Sequence, residues 1–185
     1  DMHDASYDLM AEALDRLPNG FPRTDSGLEI QILQKICSPQ EAALAGLLSG
    51  TPEPVEAIAA RTGKPSREVS RALFKLVRRG IVWLDRQDRG LCFRFAPFVV
   101  GIYEAQAELM DHELAHLVED YFAGGGARGI MQPQPALHRV VPAEGAVKSE
   151  AILPYDDVRA LLIEKKTFSL NDCIWLQARR MEKKA

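Results

Sequence analysis

The chain has 185 residues, a formal net charge of −3 and 46% hydrophobic residues. A chain of this length and composition is an ordinary globular protein that buries one core, or one core and a smaller second lobe. The mild acidity argues against a bulk nucleic-acid binder, and the sequence contains neither a long apolar run nor a secretory signal, so no membrane partner is expected.

The N-terminal part predicts three helices. Residues 4–17 and 28–37 each carry apolar side chains at helical spacing. Asn19-Gly20, flanked by prolines, predicts a loop between them, because these residues do not continue a helix. Ser38 and Glu41 have the spacing of a capping box, with a proline at the first helical position, and they predict the start of the third helix.

Residues 54–95 have the order of a winged helix-turn-helix. Their apolar spacing predicts a short helix that Gly63 interrupts and a longer helix that Gly80 ends as a C-terminal cap. Residues 81–84 and 91–95 are predicted strands separated by a polar turn. This fold serves DNA readers and protein-docking modules alike, so it does not by itself predict a function.

Farther along, residues 97–110 and 111–122 are predicted helices, and the glycines and prolines of residues 124–136 predict a linker. The elements predicted beyond it are a strand over 137–141, a helix over 154–164, a strand over 167–170 and a basic helix from Leu176 onward. The predicted fold class is α+β and mostly helical. Its parts are a helical domain over residues 1–123 with the winged helix-turn-helix at 54–95, the linker over 124–136, and a small α/β lobe over 137–185.

The helix-turn-helix segment is basic within an acidic chain. Residues 55–95 contain ten Arg and Lys against four Asp and Glu, whereas the rest contains 13 against 22. This asymmetry fits an electrostatic footprint for DNA, and it equally fits a solvated helix face on which Glu68 pairs with Arg71. The candidate DNA-contacting residues are Arg67, Ser70, Arg71, Lys75, Arg78 and Arg79 on the second helix, and Arg86 and Arg89 on the hairpin.

His112-Glu113-Leu114-Ala115-His116 matches the HExxH motif of zinc peptidases. On a helix the two histidines lie one turn apart and face a metal ion, and the glutamate acts as general base. The third ligands considered are Glu119 on the same helix, Glu144 and Glu150; position 122 is Phe where a longer motif has His. The alternative is an exposed helix face that carries two histidines, which makes zinc the less favoured cofactor.

The three cysteines are too widely spaced for a disulfide framework, and they favour a reducing, cytoplasmic location. Cys37 and Cys92 lie in apolar patterns and are predicted to be buried. Cys173 follows a strand-like run and is the candidate ligand among them.

Three segments share a further pattern: residues 16–24 (Arg-Leu-Pro-Asn-Gly-Phe-Pro-Arg-Thr), 97–104 (Pro-Phe-Val-Val-Gly-Ile-Tyr-Glu) and 152–158 (Ile-Leu-Pro-Tyr-Asp-Asp-Val). In this order they resemble a family of bacterial and archaeal 4Fe-4S ferredoxin-type proteins with a winged-helix-like N-terminal part. The resemblance covers nearly the whole chain. In that family a Cys-Ile-Cys motif follows, with further cysteines after it. Here Cys173 matches the first cysteine, and Trp175 stands where the second is expected.

The resemblance implies an iron–sulfur electron-transfer protein with a 4Fe-4S cluster and a redox protein as partner. A cluster needs four ligands, and this sequence supplies one candidate, Cys173, so the chain is either a fragment of the intact protein or a member that has lost its cluster. The preferred hypothesis is therefore the N-terminal docking or scaffold module of such a protein, leading towards the cluster-binding region.

Two other functions are kept as hypotheses. The second is a winged-helix DNA-binding transcription regulator, which could be redox-sensing, and the third is a zinc peptidase acting through His112 and His116. No catalytic group is assigned to the preferred hypothesis. A homodimer is also considered, with a seam formed by the first helix and residues 97–122.

Overall fold

The computed structural model describes residues 5–87, 90–128, 159–160, 162–170 and 172–182. The chain divides into two compact units, the first comprising Asp1–Leu137 and Cys173–Ala185 and the second His138–Asp172. No helix in the described part of the chain is both long enough and apolar enough to cross a membrane.

In the second unit, residues 159–160 and 162–163 are helical. Residues 167–170, which were predicted as a strand, have no regular secondary structure and are exposed. A strand is stabilised by a partner strand and a buried face, and this segment buries none of its side chains. The predicted strand over 137–141 and residues 154–158 of the predicted helix lie outside the described residues.

The three predicted N-terminal helices are confirmed. They are α1 (Ala5–Asp15), α2 (Leu28–Ile36) and α3 (Pro39–Ala45). The capping box is present: the Glu41 amide donates to Ser38 Oγ at 3.4 Å, and the Ser38 amide donates to Glu41 Oε2 at 2.9 Å. The apolar stripe of α1 is buried against α2 and α3 of the same chain, so it offers no dimer seam.

The segment 54–95 folds as two helices and a hairpin. Its elements are β1 (Glu53–Pro54), α4 (Val55–Thr62), α5 (Ser66–Arg78), β2 (Val82–Gln87) and β3 (Gly90–Phe95). Gly63 and Gly80, which follow α4 and α5, have φ values of 66° and 67°, the left-handed conformation that glycine adopts without strain.

The strands form an antiparallel sheet in the order β1-β3-β2. The two residues of β1 were not predicted, because so short a strand shows no alternation and depends entirely on its pairing with β3. With these helices and this sheet, the described residues confirm the α+β, mostly helical class.

The helix predicted over 97–110 is wrong. The chain instead forms a π-helical turn over Phe98–Ile102, with non-helical torsions at Val99, Val100 and Gly101, and then a 3-10 helix over Glu104–Leu109. The Asn19 side chain donates a hydrogen bond to the Val99 carbonyl, and the Phe98 ring lies 4.5 Å from that of Phe21. Contacts with a distant loop therefore replace the internal hydrogen bonds that a regular helix would make.

The described part of the first unit contains two more long helices. They are α6 (His112–Tyr121), followed by a π-helical turn over Phe122–Gly126, and α7 (Ile174–Glu182). Helix α6 packs on α2, and α7 packs on α6. The buried aromatic centre consists of Phe21, Phe98, Tyr103 and Tyr121. Most apolar side chains of residues 97–122 are buried in this core, whereas Val100 and Leu109 are exposed.

Candidate functional site

Cationic side chains form a stripe along the outer face of α5. They follow one another at intervals of four, four and three residues, which keeps them on one side of a helix with about 3.6 residues per turn. All are exposed, while the opposite side of α5 buries Val69, Leu73 and Leu76. We call this set the basic stripe; it consists of Arg67, Arg71, Lys75 and Arg78.

No side chain of the basic stripe forms an ion pair or a hydrogen bond with a residue that the structure describes. Other cations of the same segment are paired, as in Arg61–Glu53 at 2.6 Å, Lys64–Glu68 at 3.1 Å and Arg94–Asp85 at 2.7 Å. The predicted pair between Glu68 and Arg71 is therefore wrong, since Glu68 pairs with Lys64 on the preceding turn. The positive charge of the stripe is left uncompensated by these neighbours.

Arg79, another DNA-contacting candidate, is bonded within the fold. Its Nη1 atom lies 2.6 Å from Glu41 Oε2, and its other terminal nitrogen donates to the carbonyl of Ile36. Burial alone would raise the pKa of Glu41, but the hydrogen bonds from Arg79 and Ser38 outweigh burial and lower it. Arg79 therefore joins the end of α5 to α2 and α3, unlike the cations of the basic stripe.

The hairpin presents one further cation on the side of α5. Leu84 and Phe93 are cross-strand partners, and the Phe93 ring packs edge-on against Phe74 of α5 at 5.4 Å. Arg86, two residues beyond Leu84, shares the same face of the sheet because side chains alternate along a strand. It is exposed and unpaired within the described residues. Arg89 lies outside the described residues.

The predicted burial of Cys37 and Cys92 is confirmed, whereas Cys173 is exposed. Burial raises the pKa of the Cys37 thiol to about 12, so this thiol is inert at neutral pH. Cys173 directly precedes α7, and its carbonyl accepts hydrogen bonds from the amides of Leu176 and Gln177, both at 3.0 Å. The one exposed thiol of the described residues thus lies at the start of a helix.

The position of α7 is set by packing that the sequence did not predict. Ile174 and Ala178 are buried, and the Trp175 ring lies 4.9 Å from the Tyr103 ring and 6.1 Å from the Phe122 ring. Trp175, which stands where the resemblance expects a cysteine, therefore anchors the helix that follows Cys173. Its aromatic neighbours lie more than fifty positions earlier in the chain, so no local pattern could reveal this role.

The described residues do not complete a ligand set for a 4Fe-4S cluster. Such a cluster takes four ligands, usually thiolates, and Cys173 is the sole exposed thiol among them. Cys37 and Cys92 are buried in other elements. No group of three or more His, Cys, Asp or Glu in the described part of the chain is placed to hold a metal ion.

The HExxH motif lies on α6, as predicted, with His112 Nε2 and His116 Nε2 3.2 Å apart. The glutamate of the motif, Glu113, forms an ion pair with Lys35 of α2. Glu119 is 3.8 Å from Arg179. Glu144 and Glu150, the other ligands considered, lie outside the described residues. The histidines are therefore brought together, while the carboxylate of the proposed general base is bound to a cation.

Among the cavities lined by the described residues, two lie between helices. One, with a volume of about 280 Å³, lies between α6 and α7 and has Tyr103, Phe122 and Trp175 among its walls. The other, with a volume of about 400 Å³, lies between α3, α4 and α5 and is lined by apolar residues such as Leu44 and Ala72 and by polar ones such as Arg61 and Glu68. Neither could be predicted from a local pattern, because each is formed by elements distant in sequence.

No protein-family model, curated protein or solved structure was found to match this chain. The resemblance to 4Fe-4S ferredoxin-type proteins and the winged-helix class therefore stay predictions.

Proposed function

We propose that this chain binds duplex DNA through a winged helix-turn-helix module, with α5 as the recognition helix. The observation that carries the proposal is the basic stripe, whose four cations are exposed and unpaired among the described residues. Phosphates attract such a stripe because each contact releases a condensed counterion. Cations that only maintain the fold, such as Arg79, are bonded to carboxylates of the chain instead.

In this proposal, α5 enters the major groove, where arginine side chains reach phosphates or the O6 and N7 atoms of guanine. Arg86 and the hairpin contact the adjacent backbone. The module carries a net positive charge, which suits binding to anionic DNA, although the whole chain is mildly acidic. In this proposal the chain acts as a transcription regulator in the cytoplasm, the location that the cysteine usage favours.

The test measures affinity for a mixed-sequence duplex over a series of salt concentrations. For the wild type we expect a steep fall of log K with log salt. The double variant Arg71→Ala/Lys75→Ala should reduce that slope by about 2, close to one unit per lost phosphate contact. A variant that removes the same charge from the second unit, Lys165→Ala/Lys166→Ala, serves as the matched control, since both lysines are exposed there.

Equal slopes for the two double variants would show that only net charge matters, and the stripe would not be the interface. No binding to any duplex at low salt would remove the proposal altogether.

A second candidate is the docking or scaffold module of a ferredoxin-like iron–sulfur protein, with a redox protein as partner. The observation that favours it is the exposed Cys173 at the start of a helix anchored by Ile174 and Trp175. An anchored helix would hold one ligand at a defined position, while the other ligands of a cluster would come from outside the described residues. We derive no electron-transfer step, because this ligand set is incomplete.

This candidate is tested by anaerobic purification of the uninterrupted gene product. A brown protein that contains iron and sulfide, and that loses them on Cys173→Ser, is the expected result. Cys92→Ser is the matched control, since that thiol is buried. A colourless, iron-free wild type contradicts the candidate, as does an iron content that Cys173→Ser leaves unchanged.

A further inference from the structure

Two histidines of α6 lie close enough together to bind one metal ion. The Nε2 atoms of His112 and His116 are 3.2 Å apart, and the ring centroids are 4.3 Å apart. Two nitrogens bound to one tetrahedral zinc ion at about 2.0–2.1 Å lie about 3.3–3.4 Å apart. The distance between the two Nε2 atoms is therefore already close to that of a pair bound to one ion. His112 is exposed and His116 is half-buried, so solvent reaches the pair.

The helical turn that carries the pair is fixed from two sides. Asp111 accepts a hydrogen bond from the Leu114 amide at 2.8 Å and so caps the first turn of α6. Lys35 of α2 lies 2.9 Å from Asp111 and also pairs with Glu113. These bonds hold the first turn of α6 against α2. Metal binding therefore does not have to order a frayed helix end, which would lower the affinity.

Three nearby carboxylates are engaged elsewhere, and no group of three His, Cys, Asp or Glu among the described residues is placed to hold a metal ion, which leaves the two imidazoles as the protein ligands. Asp111 and Glu113 pair with Lys35, and Glu119, one turn beyond His116, is 3.8 Å from Arg179. A site of two imidazole nitrogens with the remaining positions open to water suits a borderline transition metal better than magnesium or calcium, which prefer oxygen ligands.

We propose that His112 and His116 form a surface site for one divalent transition-metal ion, with an affinity order that places Cu²⁺ above Ni²⁺ and Zn²⁺. The ion accepts the Nε2 lone pairs of both rings, and the remaining ring proton of each sits on Nδ1. Water fills the other positions. The bound ion cross-links one turn of α6 and stabilises the folded chain by mass action. The proposal includes no peptidase step, and the carboxylate of Glu113 pairs with Lys35.

The experiment titrates the full chain with Cu²⁺ alone. Electron paramagnetic resonance should report coupling to two nitrogens and saturate at one ion per chain, and saturation should raise the midpoint temperature of unfolding. His112→Ala and His116→Ala should each abolish two-nitrogen coordination and the rise in midpoint. Zn²⁺ should produce the same rise at higher concentration.

Four controls separate this site from others. His3→Ala and His138→Ala remove the other two histidines, Cys173→Ser removes the exposed thiol, and Glu113→Gln removes the carboxylate that a peptidase would use; all four should keep the two-nitrogen signal. If a histidine variant fails to fold, the wild-type spectrum still tests the proposal. Coupling of the wild-type copper signal to one nitrogen or to none overturns it. A two-nitrogen signal that survives both histidine variants overturns it as well. The outcome is independent of the DNA and iron–sulfur proposals.

Discussion

Arg79 leaves the end of α5 and reaches two other helices. It hydrogen-bonds Glu41, the capping-box residue of α3, and the carbonyl of Ile36 at the end of α2. Arg78, its neighbour, is exposed and belongs to the basic stripe. Adjacent arginines of one helix thus have different roles, and the difference comes from which side of α5 each one occupies.

We expect Arg79→Ala to lower the free energy of unfolding by about 1–3 kcal/mol, the usual cost of losing hydrogen bonds between charged partners that are partly buried. Arg78→Ala, which removes the same charge from an exposed position, should change it by less than about 0.5 kcal/mol. Urea denaturation at neutral pH measures both. Equal losses for the two variants would contradict the structural role of Arg79.

The same ion pair should depend on pH. The pKa of Glu41 is lowered in the folded chain from its ordinary value of 4.5. Its contribution to stability is therefore complete above that pH and is lost as the pH falls through the lowered value. The difference in unfolding free energy between the wild type and Arg79→Ala should narrow on acidification below about pH 4. A difference that stays constant down to about pH 2 would contradict this assignment.

At the scale of elements, Gly80 at the junction between α5 and β2 lies very close to Ala105. Gly80 has a φ of 67°, and a Cβ atom there would lie 2.2 Å from the Cβ of Ala105. Gly63, between α4 and α5, has a φ of 66° but open space around it. The two glycines share a backbone conformation and differ only in their surroundings.

Gly63→Ala should therefore destabilise the chain by about 1 kcal/mol, the cost of a left-handed alanine. Gly80→Ala should cost about 1–3 kcal/mol more, because it also forces overlap with Ala105. The double variant Gly80→Ala/Ala105→Gly should recover most of that extra loss. Thermal and chemical denaturation measure the series, and an absence of recovery would show that the clash is not the cause.

At the scale of the whole molecule, α7 joins the first unit although about 35 residues of the second unit separate it from the rest in sequence. Its buried side, with Ile174 and Ala178, packs on α6, whereas Leu176 is 59% exposed. If α7 belongs to the same cooperative core, the loss of one buried side chain should lower the stability of the entire unit.

We expect Ile174→Ala to lower the free energy of unfolding by about 2–5 kcal/mol, the usual cost of a large-to-small change in a core. Leu176→Ala, on the exposed side of the same helix, should have little effect. In a Trp83→Phe background, the tryptophan fluorescence comes from Trp175. Unfolding measured by this fluorescence and by circular dichroism should give coincident transitions. Separate transitions would mean that α7 unfolds by itself.

Much of the fold could be predicted where short-range interactions decide it. The apolar spacing of α1, α2, α4 and α5 and the Ser38–Glu41 capping box involve residues three or four apart, and each was predicted and confirmed. The turn over Phe98–Ile102 was not, because Asn19 and Phe21 determine its backbone from about eighty residues away. The same limit applies to β1, which exists only through its pairing with β3.

For the candidate sites, the sequence by itself determined which residues share a helix face: the basic stripe of α5 and the two histidines of α6 follow from helical periodicity alone. Only the tertiary structure decided which charges stay unpaired, because Arg79 meets a carboxylate 38 positions away and Lys35 meets one 78 positions away. It also decided that Trp175 anchors α7. Periodicity acts over one or two turns, whereas ion pairs and ring contacts between helices depend on how the whole chain packs.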